Sequence, residues 1–283
     1  MVLTRAVKVG GVSIGGQSGL ALLAGPCVIE SETHARKMAE SLLNLTQRLN
    51  LPFVFKSSYD KANRSSRQGY RGPGLKEGLR ILAAIRKDYG VAVLSDVHQE
   101  TEVPAAAEVL DLIQIPAFLC RQTDFLDRVA RAGKPVNLKK GQFMAPWDMA
   151  NAVEKLEAGG NSDVILTERG SSFGYNNLVA DFRSLPILRR LGKPVVFDAT
   201  HSVQLPGGEG NRSGGQREFA PALARAAVAV GVDAVFLEVH DSPDKALCDG
   251  PNMIYLDKLE DLLLALLAID QVVRPLTNNP AAM

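Results

Sequence analysis

Eight short apolar, β-branched runs recur along the chain: LALLAGPCVI, PFVFKSS, VAVLSDVH, LDLIQIPA, PVNLKKG, DVILTERG, PVVFDATH and DAVFLEVH. Between them, stretches such as ETHARKMAESLLNLTQRLN, GLKEGLRILAAIRKDYG, REFAPALARAAVAVG and LDKLEDLLLALLAI repeat apolar residues at three- and four-residue spacing, the period of an amphipathic helix. The alternation reads as a βα unit repeated eight times. Runs that are apolar throughout imply strands covered on both faces, as in a parallel sheet packed beneath helices. Eight units with no GxGxxG at the first βα turn favour a closed (β/α)8 barrel over an open doubly wound sheet. Ahead of the first unit, RAVKVGGVSIGG alternates apolar and polar residues around Gly10 and Gly11, the pattern of a two-residue hairpin. This hairpin, within residues 1–17, is expected to cap the N-terminal end of the barrel. After the seventh run, VQLPGGEGNRSGGQRE is long, polar and Gly-rich and reads as a lid or a disordered segment. No low-complexity linker divides the chain, so one domain over residues 1–283 is expected.

Composition narrows the function. A chain of 283 residues is long for an ordinary domain but normal for an α/β barrel. The hydrophobic fraction of 46% and charged fraction of 22% are those of a soluble globular protein. A net charge of +1 gives no general attraction to nucleic acid or to an anionic membrane, so any basic site is a local cluster. The opening MVLTRAVKVGG lacks the apolar core of a signal peptide, and no run approaches the roughly 18–20 apolar residues of a membrane helix. A cytoplasmic location is expected. Three scattered cysteines, Cys27, Cys120 and Cys248, argue against a disulfide framework or a zinc ribbon.

Polar and charged residues gather at the C-terminal edge of each apolar run: Cys27, Lys56, Asp96, Gln114, Lys139, Arg169, His201 and Glu238. In barrel enzymes that edge carries the active site. Ordinary turn chemistry accounts for Asp96 but not for thiol, imidazole, carboxylate and several cations together. In a closed barrel the seventh, eighth and first strands are neighbours, so His201, Glu238 and Cys27 converge, with Asp249 on the loop after the eighth. That donor set suits a divalent transition ion, and its softness favours zinc or iron(II) over magnesium. Lys56, Lys61, Lys139, Lys140 and Arg169 form a cationic set. Without a dense set of acidic partners they repel one another, by roughly 4 kcal/mol per close pair at an effective dielectric of about 20. An anionic ligand relieves that repulsion, and phosphate with a carboxylate is a natural guest, Arg169 gripping it bidentately. The string KANRSS, residues 61–66, is either a second phosphate site or a helix N-terminus with Ser or Asn caps. His34 and His240 read as surface or supporting residues, and His98 has no assigned role.

Together GPCVIES, FKSSYDKANRSS, IQIPAFLCRQTD, NLKKGQF, LTERGSSFGYNNL, FDATHSVQLPGG and the segment from EVH to CDG resemble one family from the N-terminal hairpin to the last helix. It is the 3-deoxy-D-manno-octulosonate 8-phosphate synthases, also called 2-dehydro-3-deoxyphosphooctonate aldolases, of lipopolysaccharide Kdo biosynthesis. The resemblance implies condensation of phosphoenolpyruvate with D-arabinose 5-phosphate and water, releasing inorganic phosphate. Related 3-deoxy-heptulosonate 7-phosphate synthases, which use erythrose 4-phosphate, typically carry KPRTS where this chain has KANRSS. A non-catalytic barrel that binds metal or phosphate is the reading from another class.

Carried over residue by residue, the resemblance gives phosphoenolpyruvate to Lys56, Lys61, Gln114, Ala117, Lys139 and Arg169. It gives the aldose phosphate and hydroxyls to Asn63, Arg64, Ser65 and Asp96, and sends Arg121 into the site of an adjacent subunit of a homotetramer. The metal ligands it implies are Cys27, His201, Glu238 and Asp249, for zinc, iron(II), manganese or cobalt. An asparagine replaces the cysteine in the metal-independent branch, so Cys27 implies the metal-dependent one. Catalytic roles fall on Lys61, Asp96, Lys139, His201 and Asp249, with Asp249, His201 and a water held by Lys61 as candidate general acids. Cys248 matches no ligand of the family and reads as a packing or supporting residue.

Overall fold

In a computed structural model, residues 2–64, 66–208 and 214–278 are described. Eight parallel strands close into a barrel: β1 (Ala21–Gly25), β2 (Phe53–Lys56), β3 (Ala92–Asp96), β4 (Leu112–Ile115), β5 (Val136–Lys139), β6 (Val164–Glu168), β7 (Val195–Asp198) and β8 (Ala234–His240). Each pairs with the next in order, and closure comes from β8 against β1, with Glu238 opposite Gly25. All eight apolar runs become barrel strands.

One helix follows each strand: α1 (Glu32–Arg48), α2 (Leu75–Tyr89), α3 (Val103–Val109), α4 (Thr123–Ala130), α5 (Met149–Ala158), α6 (Ser184–Arg189), α7 (Ala220–Val230) and α8 (Leu256–Asn278). Local chemistry sets their ends. Ser31 caps α1 by accepting the His34 N–H, while α2 and α7 end at Gly90 and Gly231 in the left-handed region.

The strands are apolar on both faces because they feed two cores. Leu22, Phe53, Phe55 and Val93 face outward into the layer shared with helix residues such as Met38, Leu42, Leu82 and Ile85. Ala21, Leu23, Val54, Leu94, Leu112, Ile165, Val196 and Phe236 fill the barrel interior. The N-terminal hairpin, Val7–Val9 against Val12–Ile14, adds Val7, Val9 and Ile14 to this interior core. Its turn sits against the start of β3: Gly10 has φ +55, and a Cβ there would lie 3.1 Å from Ala92. The expected cap is therefore present at the N-terminal end.

Toward the other end the same two-residue alternation changes from apolar to polar. Val54 gives way to Lys56, Leu94 to Asp96, Leu112 to Gln114, Val196 to Asp198 and Phe236 to Glu238. Beyond β7, Gln204–Leu205 pairs antiparallel with Gly214–Gly215, forming the neck of the Gly-rich loop. Residues 209–213 of that loop lie outside the described residues.

Candidate active site

A cavity of about 690 Å³ opens at the C-terminal rim. Lys56, Lys61, Asn63, Arg64, Asp96, Gln114, Ala117, Lys139, Arg169, His201 and Asp249 all line it. Cys27 and Glu238 are buried beside its floor. Ser65 lies outside the described residues. Arg121 is exposed at the turn before α4 and does not line the cavity of its own chain.

The first contacts depend on a close approach of β1 and β2. A Cβ at Gly25 would collide with the Lys56 carbonyl oxygen, so glycine lets the two strand ends meet. Lys56 then donates from Nζ to the Cys27 carbonyl at 2.9 Å and to Glu238 Oε1 at 2.7 Å. Lys139 donates to Asp198 at 2.6 Å and sits 3.8 Å above the Phe236 ring. These pairs correct the expectation that the rim cations lack acidic partners: Glu238 and Asp198 were already among them. Lys140 is not on the rim. Alternation turns it away from Lys139, toward Glu168 at 3.5 Å and the carbonyls of Gly141 and Met144.

Arg169 is the cation left over. Its Nη2 donates to Gln204 Oε1 at 3.0 Å, its Nη1 is buried without a partner, and among the described residues no carboxylate lies within ion-pair distance. Burial pulls the Arg169 pKa down, and Asp198, Asp249, Glu168 and Glu238 only partly offset it. Lys139 is likewise drawn below the usual lysine range, by burial first and by Lys56, against Asp198 and Asp96. For Lys61 burial acts the same way, but Cys27, Glu238, Cys248 and Asp96 outweigh it and raise its pKa.

Asp96 ends a chain of donors. The Thr167 hydroxyl donates to Asn137 Oδ1, Asn137 Nδ2 to Gln114 Oε1 at 2.8 Å, and Gln114 Nε2 to Asp96, which also accepts from Ser58. Burial alone would raise the Asp96 carboxyl, but Lys56, Lys61, His98 and Lys139 hold it well below the ordinary range. Asp96 therefore faces the cavity as an ionised acceptor.

The four expected metal ligands fall into two overlapping groups that share Asp249. His201 Nε2 lies 3.6 Å from Glu238 Oε1 and 3.9 Å from Asp249 Oδ2, and Cys27 Sγ lies 3.7 Å from the same Asp249 oxygen. Metal–donor lengths of about 2.0–2.3 Å at a tetrahedral angle require roughly 3.3–3.5 Å between donors, which His201, Glu238 and Asp249 approach, while Cys27 groups with Cys248 and Asp249 rather than with His201 and Glu238. Asp198 accepts from the Lys139 ammonium, so the proton it shares with His201 Nδ1 at 2.7 Å sits on the ring. This leaves Nε2 free to ligate. Glu238 Oε2 is buried and unpartnered. Burial raises the Glu238 pKa, but Lys56, His201 and Lys61 hold it low, as a ligand carboxylate requires. Asp249 is held with φ +50, a strained setting found at functional sites. His201, Glu238 and Asp249 fit a divalent ion, with Cys27 reaching the same Asp249 oxygen.

A family model described as the DAHP synthetase I family matches residues 3–274. The chain belongs to the DAHP synthetase I family. Its relatives include the 2-dehydro-3-deoxyphosphooctonate aldolase of Geobacter metallireducens, 62% identical over 272 residues that cover 96% of this chain and 100% of the relative. The enzyme of the same name from Pelobacter propionicus is 61% identical with the same coverage, and that from Geobacter sulfurreducens 59%. The motifs quoted from the sequence thus belong to a full-length family likeness.

Several residues of the site carried no signal of their own. Asp198 stands three residues before His201 in FDATH, and that spacing was its only clue. Asn137 and Thr167 were polar positions inside apolar runs, and Cys248 stood beside the expected ligand Asp249. His98, given no role, lines the cavity and holds Asp60 O at 3.1 Å. His34 and His240 meet each other, ring centroids 4.4 Å apart, beside Glu30 and Asp241.

Proposed function

We propose that this chain condenses phosphoenolpyruvate with D-arabinose 5-phosphate and water, giving 3-deoxy-D-manno-octulosonate 8-phosphate and inorganic phosphate for Kdo biosynthesis. The observation that carries the reading is Arg169, a buried guanidinium with spare donors beside Lys139, at the floor of a cavity open to small anions. The names of the relatives support the octulosonate product within a family whose description is broader. KANRSS in place of KPRTS supports the five-carbon acceptor.

In this reading Lys56, Lys61, Gln114, Ala117, Lys139 and Arg169 hold phosphoenolpyruvate, its phosphate and carboxylate supplying the opposite charge that Arg169 lacks. Asn63, Arg64 and Ser65 take the aldose phosphate, and Asp96 accepts its hydroxyls. C3 of phosphoenolpyruvate attacks the aldehyde carbon, water adds at C2, and the hemiketal phosphate expels inorganic phosphate by C–O cleavage. A proton for the aldehyde oxygen, as it becomes an alkoxide, comes from Asp249, His201 or a water held by Lys61. Bound by Cys27, His201, Glu238 and Asp249, a zinc, iron(II), manganese or cobalt ion supplies Lewis-acid stabilisation of charge on a reacting oxygen. Asp198 fixes the His201 ring for that task.

The whole chain works as one barrel domain in the cytoplasm. Among the described residues, no helix is long and apolar enough to cross a membrane. A homotetramer accounts for the exposure of Phe118, Phe143, Trp147 and Phe173 on the loops after β4, β5 and β6, and for an exposed Arg121 that does not line its own cavity.

Phosphate release tests the proposal, measured with phosphoenolpyruvate and each aldose phosphate, with and without chelator. Arabinose 5-phosphate should turn over at least about tenfold faster than erythrose 4-phosphate, a difference of about 1.4 kcal/mol, and prolonged chelation should remove most activity. Equal rates with both sugars, or full activity after verified metal removal, overturn it.

A further inference from the structure

Glu30, His34 and His240 gather at the same end of the barrel, yet none of them lines the cavity and the proposed reaction gives them no task. Glu30 lies on the loop after β1, and the Ser31 cap sets His34 in the first turn of α1. β8 runs two residues beyond Glu238 to His240, which pairs there with Tyr255. One donor atom from each of the three residues lies within 4.8 Å of the others, and the two imidazole centroids are 4.4 Å apart. His34 Nδ1 and His240 Nε2 are buried without a hydrogen-bond partner among the described residues. His240 Nε2 lies 3.4 Å from Glu30 Oε1, and the His240 side chain is 5% exposed. Two orphaned ring nitrogens facing one carboxylate group are costly to bury unless something binds them.

We infer that Glu30, His34 and His240 form a second metal site, separate from the proposed catalytic one, for a divalent ion of borderline softness such as zinc. Two imidazoles and a carboxylate suit zinc, nickel or copper and leave a further position for water. Asp241 supports both rings from behind: its Oδ1 lies 3.2 Å from His34 Nε2 and 3.2 Å from His240 Nδ1. With the His34 proton held on Nε2 by that carboxylate, Nδ1 keeps its lone pair for an ion. His240 Nδ1 accepts the Ser242 N–H at 2.8 Å. Ligation through Nε2 therefore moves the ring proton to Nδ1, which exchanges the Ser242 bond for one to Asp241. Lys37 donates to Asp241 Oδ2 at 2.6 Å, and Leu247 N donates to Glu30 Oε1 at 2.9 Å, so both carboxylates are held in place.

An ion here ties the start of α1 and the loop after β1 to the end of β8 and, through Leu247, to the loop that carries Asp249. It acts as a clamp across the closure of the barrel rather than as a reagent. The site stands on its own residues and does not rest on the proposed reaction.

The test is equilibrium dialysis of the metal-stripped full chain against zinc, with bound metal counted, and absorption spectra of the cobalt-loaded protein. Wild type should hold two ions per chain, and His34→Ala and His201→Ala one each. The cobalt left in His34→Ala should show thiolate charge transfer from Cys27, and the cobalt left in His201→Ala should not. Asp241→Asn, which removes only the carboxylate behind the rings, should weaken the second site at least about tenfold. Glu30→Gln, whose amide oxygen can still accept from Leu247, should weaken it while the metal-free Tm stays near wild type, which separates lost ligation from lost folding. A single ion that is lost in His34→Ala and kept in His201→Ala supports the second site and removes the catalytic metal instead. Zinc bound by wild type, His34→Ala and Glu30→Gln in equal number and with equal affinity overturns the second site and leaves the catalytic one standing.

Discussion

At the N-terminal end of the barrel, Arg189 lies 2.8 Å from Asp233, which also accepts the Val195 N–H, while Arg274 pairs with Asp270 and lies 3.5 Å from the other Asp233 oxygen. Asp270 accepts from Leu20 N, and Arg189 also donates to the carbonyls of Val2 and Gly231. Charges there face opposite charges and backbone, and the network ties the N-terminal segment, α6 and α8 to the strands. At the C-terminal end Lys56 and Lys139 have acidic partners too, yet Arg169 has none among the described residues; buried polar atoms without a hydrogen-bond partner occur at both ends, on Arg189, Asp233 and Arg274 as on Glu238 and Arg169. In the first region each buried charge has an opposite charge within ion-pair distance. In the second, buried charge is left partly uncompensated around a cavity, and binding energy is available because folding has not consumed it.

Breaking the first region should produce the largest effect on stability. Arg189→Met leaves the Asp233 carboxylate without its closest partner, and breaking a buried pair typically costs about 3–5 kcal/mol. Chemical denaturation should show a loss of that order, with turnover per folded molecule unchanged. A loss of activity at full stability would place Arg189 in the working half of the molecule. A smaller effect should come from Arg64→Ala, whose side chain reaches Tyr70 O at 3.0 Å and lies 3.6 Å from Asp249. Steady-state kinetics should show KM for the aldose phosphate rising at least about tenfold and KM for phosphoenolpyruvate moving less than about twofold. Equal changes for both substrates would move Arg64 out of the aldose subsite.

The smallest expected signal is a proton. Burial depresses Lys139 in the free protein, so its charge is lost as pH rises through a value below the usual lysine range. A bound anion favours the charged form and raises that pKa. Binding of phosphoenolpyruvate at alkaline pH should therefore take up a fraction of a proton, and affinity should weaken as pH rises. Calorimetry in two buffers of different ionisation enthalpy reads the uptake, and proton release on binding would contradict the role of Lys139.

Much of this contrast was legible in the sequence. The eight strands stood out because burial on both faces leaves an unbroken apolar run, and the hairpin because Gly10 and Gly11 sit between alternating segments. The rim residues showed because each strand ends where apolar residues stop. Pairing across the barrel was hidden: Glu238 lies 182 residues from Lys56, and Asp198 lies 59 from Lys139. Only strand register and closure bring them together, so the cations looked uncompensated when most were not. Lys139 and Lys140 read alike as neighbours in sequence, yet the strand's alternation sends them to opposite faces. Cys248 gave no sign of meeting Cys27 for the same reason as the lysines: closure of β8 on β1 is a property of the whole barrel.

In the proposed reaction the C-terminal rim keeps a cationic site for phosphoenolpyruvate that the protein itself does not fill. Calorimetric titration of phosphoenolpyruvate into wild type and Arg169→Ala, with thermal unfolding of each free protein, tests it most directly. The variant should bind about 100-fold or more weakly, since truncating one partner of a buried, hydrogen-bonded charge pair costs roughly 2–5 kcal/mol of binding, while its unliganded Tm stays the same or rises. Equal affinity in the two proteins, or a variant that loses stability as Arg189→Met does, would contradict the account.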